Sequence, residues 1–382
     1  MAKGTKAKVA QSALSSAKEV LDKALKDSDA YVPLGEDDAR DQIPHIATGS
    51  IVLDSLIGGP DSICPGYPVG KVISIYGHEA SGKTTLALTA AVSVIAAGGT
   101  VAYIDWENEI QPRYAANLGI PINDPNKFML YQPDTLEEGI KIIWVLINAG
   151  VDLIVIDSVG AAVPEAVMAE KVDEQGRRSA IGELARQWSK YLPKFKVKTQ
   201  KTGTTLICIA QIRDKINTMG YGDSTNIQGG KAWKFYASLM IKLQRIKQEK
   251  GKVYDPMSHK MVDQTIGNVV KVKLEKCKVS PQQNHDSILY IRQGEGIDNL
   301  RSILDVAAAH KVLKKSGSWY SWHRSDGTEI RGQGSEKFRE VLQATPGALE
   351  ELYLQAQMGM RQAHGTVPEE EELDVFDGLE GV

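Results

Sequence analysis

Residues 72–97 constrain the fold more than any other stretch. Val72-Ile73-Ser74-Ile75-Tyr76 is an apolar run that reads as a buried strand. Gly77-His78-Glu79-Ala80-Ser81-Gly82-Lys83-Thr84 follows and fits G-x-x-x-x-G-K-[ST], a phosphate-binding loop, and Thr85 to Ala97 is a good helix former. A loop between strand and helix aims backbone N–H groups and a helix N-terminus at one point, where a polyphosphate can sit. The glycines let the backbone come close, Lys83 reaches the outer phosphates, and the Thr84 hydroxyl helps hold Mg²⁺.

The same alternation continues along the chain. Strand candidates fall at 71–76, 101–105, 128–131, 152–157, 204–209, 238–244, 269–274 and 287–291, with helix candidates at 83–97, 111–118, 135–149 and 181–200. Strand–helix alternation implies an α/β fold with a mostly parallel sheet covered on both faces. The last strands follow one another without long helices, so the sheet is expected to end in antiparallel strands. Residues 6–30 read as one amphipathic helix on Val9, Leu14, Ala17, Leu21 and Leu25. After about residue 296 the pattern becomes a small α+β unit, with a strand at Gly317 to Trp322, a hairpin turn at Asp326-Gly327 and helices at 334–343 and 346–360. The acidic end has too few apolar residues to fold. The expected organisation is an N-terminal helix and arm (1–44), a core (45–295), a small α+β domain (296–363) and a tail (364–382).

The formal net charge of −3 over 382 residues conceals an acidic Glu369–Glu380 and basic stretches at 190–201 and 242–278, so it argues neither for nor against a nucleic-acid partner. The three cysteines, Cys64, Cys208 and Cys277, are too far apart for a zinc site or a disulfide framework. No signal peptide and no apolar run long enough to span a bilayer is visible, so no membrane partner and a reduced, cytoplasmic setting are expected.

Three further strands end in polar groups at the edge that the phosphate loop shares. Leu153 to Ile156 ends in Asp157, placed to reach Mg²⁺ directly or through water. Val101 to Ile104 leads to Asp105-Trp106-Glu107, where Glu107 is the candidate for orienting or deprotonating an attacking water and Asp105 its competitor. Leu206 to Ala210 ends in Gln211, an amide able to sense a γ-phosphate. The next segment, Arg213 to Gly230, is about 18 residues without periodicity and reads as a functional loop. A second loop candidate, Pro164 to Ser179, holds Arg177 and Arg178. With Arg213, Lys215, Tyr221 and Lys231 these supply cationic and aromatic groups suited to phosphate contact and base stacking on single-stranded nucleic acid, although charged loops are commonly just solvated. Lys276 and Lys278 fall on one side of a strand, which by spacing alone reads as a solvated face.

Taken in order, these motifs resemble the bacterial RecA recombinase family. The match is carried by Ala47 through Asp54, Ile75 through Thr85, Tyr103-Ile104-Asp105 before Glu107, Tyr131 through Thr135, Val155 through Val159, Gln211-Ile212-Arg213, Gly229-Gly230-Lys231-Ala232 with Lys234 through Ser238, and Gly294 through Ile297. The resemblance spans nearly the whole chain. It implies a RecA-like P-loop ATPase core with an N-terminal arm and a small C-terminal domain. It also implies a homo-oligomeric helical filament on single-stranded DNA that uses ATP and Mg²⁺ to pair that strand with homologous double-stranded DNA. By position, the phosphate loop through Thr85 binds ATP, Glu107 is the catalytic base, and Gln211 relays the γ-phosphate state to a DNA loop that ends at Gly229-Gly230. Tyr114 matches an aromatic residue that stacks on adenine, and Lys276 and Lys278 match a pair that reaches the neighbouring subunit's ATP.

Several positions depart from the family pattern. Ala210 precedes Gln211 where Asn is usual, Gln111 stands where an Asp usually helps hold the adenine, and Trp106 is bulkier than the usual small residue beside Glu107. An insertion falls at about Pro60 to Tyr67, and the 164–179 stretch is unfamiliar. These departures mark a divergent member, and a phage origin is consistent with them. The alternatives are a hexameric helicase on the same fold and an ATP-gated DNA-binding regulator.

Overall fold

The computed structural model describes residues 43–59, 64–169, 176–214, 225–227, 230, 232–255, 257–281 and 285–365. The N-terminal helix and arm expected at 1–44 fall outside these residues except for their last two positions, and the tail lies outside them from residue 366 onward.

In chain order the elements are β1 (His45–Ile46), α1 (Ile51–Gly58), β2 (Tyr67–Pro68), β3 (Val72–Gly77), α2 (Lys83–Ala96), β4 (Val101–Asp105), α3 (Pro112–Leu118), β5 (Phe128–Tyr131), α4 (Leu136–Ala149) and β6 (Leu153–Asp157). Then come α5 (Glu165–Met168), α6 (Gly176–Thr202), β7 (Thr205–Asp214), β8 (Thr225–Ile227), α7 (Ala232–Tyr236), β9 (Leu239–Asp255), β10 (Lys260–Cys277), β11 (Asp286–Arg292) and β12 (Gly296–Ile297). The C-terminal part adds α8 (Asn299–Ala309), β13 (Lys314–Ser316), β14 (Trp319–His323), β15 (Glu329–Gln333), α9 (Ser335–Ala344) and α10 (Ala348–Gly365).

A ten-stranded sheet runs β12-β11-β10-β9-β3-β7-β6-β4-β5, with β8 paired to β7. The stretch from β9 through β5 is parallel, as strand–helix alternation predicts, and β10, β11 and β12 close the other end as antiparallel strands. Strand side chains alternate between faces, and this splits the core in two. Ile73, Ile75, Val101, Tyr103, Val155, Ile207 and Ile241 face one side, where Leu86, Ala87, Ala90 and Val94 of α2 cover them. Tyr76, Ala102, Ile104, Ile156, Cys208 and Ala210 face the other, under Ile140, Ile143 and Ile147 of α4 and Leu184, Trp188, Leu192 and Phe195 of α6. Each of these large side chains contributes about 1.5–3 kcal/mol when fully buried. The spacing 184, 188, 192, 195 is the helical repeat that forces one face of α6 onto the sheet.

The caps follow from sequence. Ser50 and Thr135 accept backbone hydrogen bonds from Leu53 and Glu138 and start α1 and α4. Gly150 adopts φ 78° and ends α4. The first layer of core continues without a break into the C-terminal elements through Leu304, Trp322, Ile330, Phe338 and Leu352.

Three expectations are corrected. The 164–179 stretch is not a plain loop, since Glu165–Met168 and the residues from Gly176 are helical, which places Arg177 and Arg178 in the first turn of α6. The 213–230 stretch is not without structure either, because β7 runs on to Asp214 and pairs antiparallel with β8 at Arg213 and Asn226. The third concerns the pair at 238–244 and 269–274, whose strands extend far past their apolar parts. β9 and β10 form a ribbon whose far half, Lys247 to Asp255 against Lys260 to Val269, is mostly exposed.

Candidate functional site: a phosphate loop at a sheet edge

Gly77, the last residue of β3, pairs across parallel strands with Gln211 of β7 on one side and Leu243 of β9 on the other. On β4 and β6, Asp105 lies opposite Asp157. All these strands therefore deliver their polar ends to one edge. A cleft of about 880 Å³ opens there, lined among others by Thr84, Thr85, Glu107, Tyr114, Asp157 and Asn268.

The phosphate loop has the backbone its motif requires. Ala80 and Gly82 take φ 56° and 89°, which turns successive N–H groups inward. The φ of 89° at Gly82 is a conformation that favours glycine, and a Cβ there would also meet Ile291 Cδ1 at 2.2 Å. Lys83 and Thr84 open α2 behind this turn.

Lys83 is 8% exposed, and its Nζ donates to His78 O at 2.7 Å. Burial lowers its pKa, opposed by the charges of Asp157, Glu107 and Glu79. An ammonium carries three donors, and two remain for a bound anion. Ser81 Oγ is buried with no partner among the described residues. An orphaned hydroxyl inside a turn of N–H groups fits a phosphate.

Asp157 sits at the centre of the acidic side. Its Oδ2 accepts from Thr84 Oγ1 at 2.9 Å and from Tyr103 Oη at 2.6 Å. Burial pushes its pKa up to about 6, against the pull of these two hydrogen bonds. A carboxylate and a hydroxyl in contact at the mouth of a phosphate loop are hard oxygen donors, the set that suits Mg²⁺. A divalent cation there would favour the ionised Asp157 that burial disfavours.

Glu107 is held from two sides. Its Oε1 accepts from Ser158 Oγ and, at 3.1 Å, from Gln211 Nε2. Its competitor Asp105 is fully engaged elsewhere. The buried Asp105 carboxylate accepts from the backbone of Glu107 at 3.1 Å and Ile110 at 3.2 Å and from Gln132 Nε2 at 3.3 Å. Both carboxylates line the cleft, but Asp105's oxygens are taken by donors of its own loop, which leaves Glu107 the less committed of the two.

At the far end, Tyr114 Oη and Thr85 Oγ1 share a hydrogen bond of 2.7 Å. Gln111 precedes α3 and lines the same cleft. Trp106 turns away from it into the second core layer, where its Nε1 donates to Thr135 O at 3.3 Å.

Other sequence-predicted residues lie apart. Lys276 is on β10, and its Nζ donates to the carbonyls of Lys234 and Phe235, at 2.5 and 3.4 Å. Lys278 lies just past the end of β10, exposed, with its N–H on Ser238 O at 3.1 Å. Neither lines the cleft. Gly230 takes φ 95°, and a Cβ there would sit 2.9 Å from Ala185 Cβ of α6. Lys215, Tyr221, Gly229 and Lys231 lie outside the described residues, as do the side chains of Arg177, Arg178 and Arg213. Sequence reasoning missed Tyr103 and Ser158. The available signals were a polar residue two before Asp105 on a buried strand and a hydroxyl next to Asp157.

Comparison with known proteins decides the family. The family model described as the RecA N-terminal domain matches residues 12–298, and that of the RecA C-terminal domain matches 301–357. The chain belongs to the RecA family. Protein RecA of Lactiplantibacillus pentosus is 37% identical over 367 residues, covering 94% of this chain and 88% of that protein. Protein RecA of Lactobacillus acidophilus (strain ATCC 700396 / NCK56 / N2 / NCFM) is 38% identical over 355 residues, covering 91% and 89%. A structure titled "Crystal structure of the RadB recombinase" aligns with TM-score 0.44 and 23% identity, covering 66% of this chain and 98% of that one; the assignment rests on the sequence matches. A RecA-family chain is a nucleotide-binding, DNA-dependent ATPase that acts in recombination. Membership does not favour the helicase or the regulator. Among the described residues no helix is long and apolar enough to cross a membrane.

Proposed function

We propose that this chain couples ATP hydrolysis to homologous pairing as a helical filament on single-stranded DNA, exchanging strands with a homologous duplex. The observation that carries the mechanism is the convergence of Gln211 and Ser158 on one oxygen of Glu107, beside the contact between Thr84 and Asp157.

Lys83 and the N–H groups of residues 77–84 bind the phosphates, and Tyr114 packs at the base end. Thr84 and Asp157 hold Mg²⁺, which when bound neutralises charge on the phosphates. Glu107 orients a water and accepts its proton. Gln211 has one amide to give. When its Nε2 turns to a γ-phosphate it leaves Glu107 Oε1 to Ser158, which frees the carboxylate to rotate toward water. Gln211 stands on β7 two residues before Arg213, so the same turn bears on the segment that follows. Arg177, Arg178, Arg213, Lys215, Tyr221, Gly229, Gly230 and Lys231 contact the DNA backbone and bases. Sequence is read by base pairing and not by side chains. Lys276 and Lys278 act on the nucleotide of an adjacent copy, which accords with their place outside this chain's own cleft.

A strand-exchange assay with ATP tests the reading. Joint molecules and DNA-stimulated phosphate release are expected, with helical filaments in negative-stain images. Closed rings that translocate, or DNA binding with no stimulated hydrolysis, would sink it.

A further inference from the structure

Trp106, Trp188 and Trp233 form a continuous indole cluster under the acidic side of the site. The Trp106 and Trp188 ring centroids are 6.0 Å apart at 84°, and those of Trp188 and Trp233 are 5.0 Å apart at 60°. These are edge-to-face contacts of the kind that fix relative ring positions. Trp188 and Trp233 are fully buried and Trp106 is 8% exposed. Each ring belongs to a different part of the machinery. Trp106 is the neighbour of Glu107, Trp188 lies on α6, the helix whose first turn carries Arg177 and Arg178, and Trp233 lies on α7 just after Gly230-Lys231.

The cluster also reaches Glu107 through hydrogen bonds. Trp188 Nε1 donates to Val159 O at 3.0 Å. Val159 N–H in turn donates to Ile209 O of β7 at 2.9 Å, two residues before Gln211. Val159 is thus pinned between α6 and the Gln211 strand, and the adjacent Ser158 is one of the two donors on Glu107. Trp106 N–H donates to Asp157 O at 2.8 Å and closes the circuit from the other side. Packing alone does not explain three indoles. Trp233 Nε1 is buried with no acceptor among the described residues, a cost that phenylalanine would avoid. An arrangement of α7 that supplied an acceptor would be favoured.

We infer that Trp188 is a positioning residue for ATP hydrolysis, and that the triad carries the placement of α6 and α7 to Glu107 through Val159 and Ser158. A shift of α6 or α7 moves the Val159 carbonyl, and the Ser158 hydroxyl moves with it. The carboxylate of Glu107 is then reoriented without any change at the phosphate loop. This inference rests on Glu107 as the group that handles water.

The test is the full-length Trp188→Phe variant, which keeps an aromatic ring and deletes the N–H. DNA-stimulated kcat should fall about tenfold, the size of one lost hydrogen bond of ~1.4 kcal/mol. KM for ATP and equilibrium binding of a fluorescent ATP analogue should hold. Unchanged kcat overturns the inference. So does a loss in which nucleotide binding and melting temperature fall along with kcat, since that marks a purely structural ring. A second measurement does not depend on that variant being active. In a Trp144→Phe/Trp319→Phe/Trp322→Phe background, indole emission should change on adding ATP and single-stranded DNA together, and the change should vanish when Trp188→Phe is added. Emission that ignores both ligands overturns the coupling. Failure of the unaltered protein to hydrolyse ATP would count against the recombinase reading instead, and the emission experiment would still decide whether the triad responds.

Discussion

Replacing Lys83 by methionine separates the cost of a buried ammonium from its use. In the protein alone the lysine is 8% exposed and its pKa is lowered by burial. Its one hydrogen bond, to His78 O, offsets only part of that cost. Methionine fills similar space without a charge, so the unliganded melting temperature should hold or rise. The liganded protein behaves otherwise. Two free Nζ donors to phosphate oxygens are charge-assisted and contribute roughly 1.5–3 kcal/mol each, so their loss weakens binding by at least about a hundredfold. At a ligand concentration of about 100 Kd the unaltered chain gains ~2.7 kcal/mol. With an unfolding entropy of roughly 2.1 cal/mol/K per residue over a chain of this size, that is a shift of about 3 °C. The variant at the same concentration should shift by less than about 1 °C. Differential scanning fluorimetry with and without Mg·ATP reads both numbers. A Lys83→Met protein that keeps the shift of about 3 °C would refute the assignment of Lys83 to the phosphates.

Further outcomes follow from other parts of the molecule. Glu107→Gln should keep nucleotide and DNA binding and lose hydrolysis by about 10²–10⁴-fold in a phosphate-release assay. Burial pushes the Asp54 carboxyl up to about 7, with Thr48 N–H donating to it at 2.8 Å. The folded state therefore holds a proton that the unfolded chain releases near pH 4, and stability should fall as pH rises from about 4 to 7. Asp54→Asn should remove that slope from a difference between denaturation curves. A Cβ at Gly139 would lie 2.1 Å from Trp106 Cζ2, so Gly139→Ala should cost roughly 1–3 kcal/mol in urea denaturation.

Much of this architecture is legible because burial writes itself into apolar runs. The β3, β4 and β6 ranges are readable to within a residue, since each is buried on both faces and bounded by turn residues. The β9–β10 ribbon is not, because its outer half is held by cross-strand backbone bonds that Lys, Gln and Glu side chains do not advertise. The site divides the same way. The phosphate loop, Asp157, Glu107 and Gln211 are visible as polar residues closing apolar strands. The hydrogen bonds of Tyr103 and Ser158 depend on inter-strand register, which sets Tyr103 near Asp157 across β4 and β6. The choice between Asp105 and Glu107 needs the three-dimensional loop, where one carboxylate is consumed by backbone donors and the other is not. Trp106 reads as a departure beside Glu107, and only its direction, into the core, reveals what it touches.

The pairing of Gly77 with Gln211 and Leu243 has one more consequence. The residue that opens the phosphate cradle and the glutamine proposed to read its contents are rungs of a single ladder, locked at fixed separation by the hydrogen bonds of three adjoining strands. Such a frame does not stretch when cargo changes. Whatever distinguishes triphosphate from diphosphate must be spoken by rotating side chains and by the segments that depart from the rim, while the platform beneath them stands still.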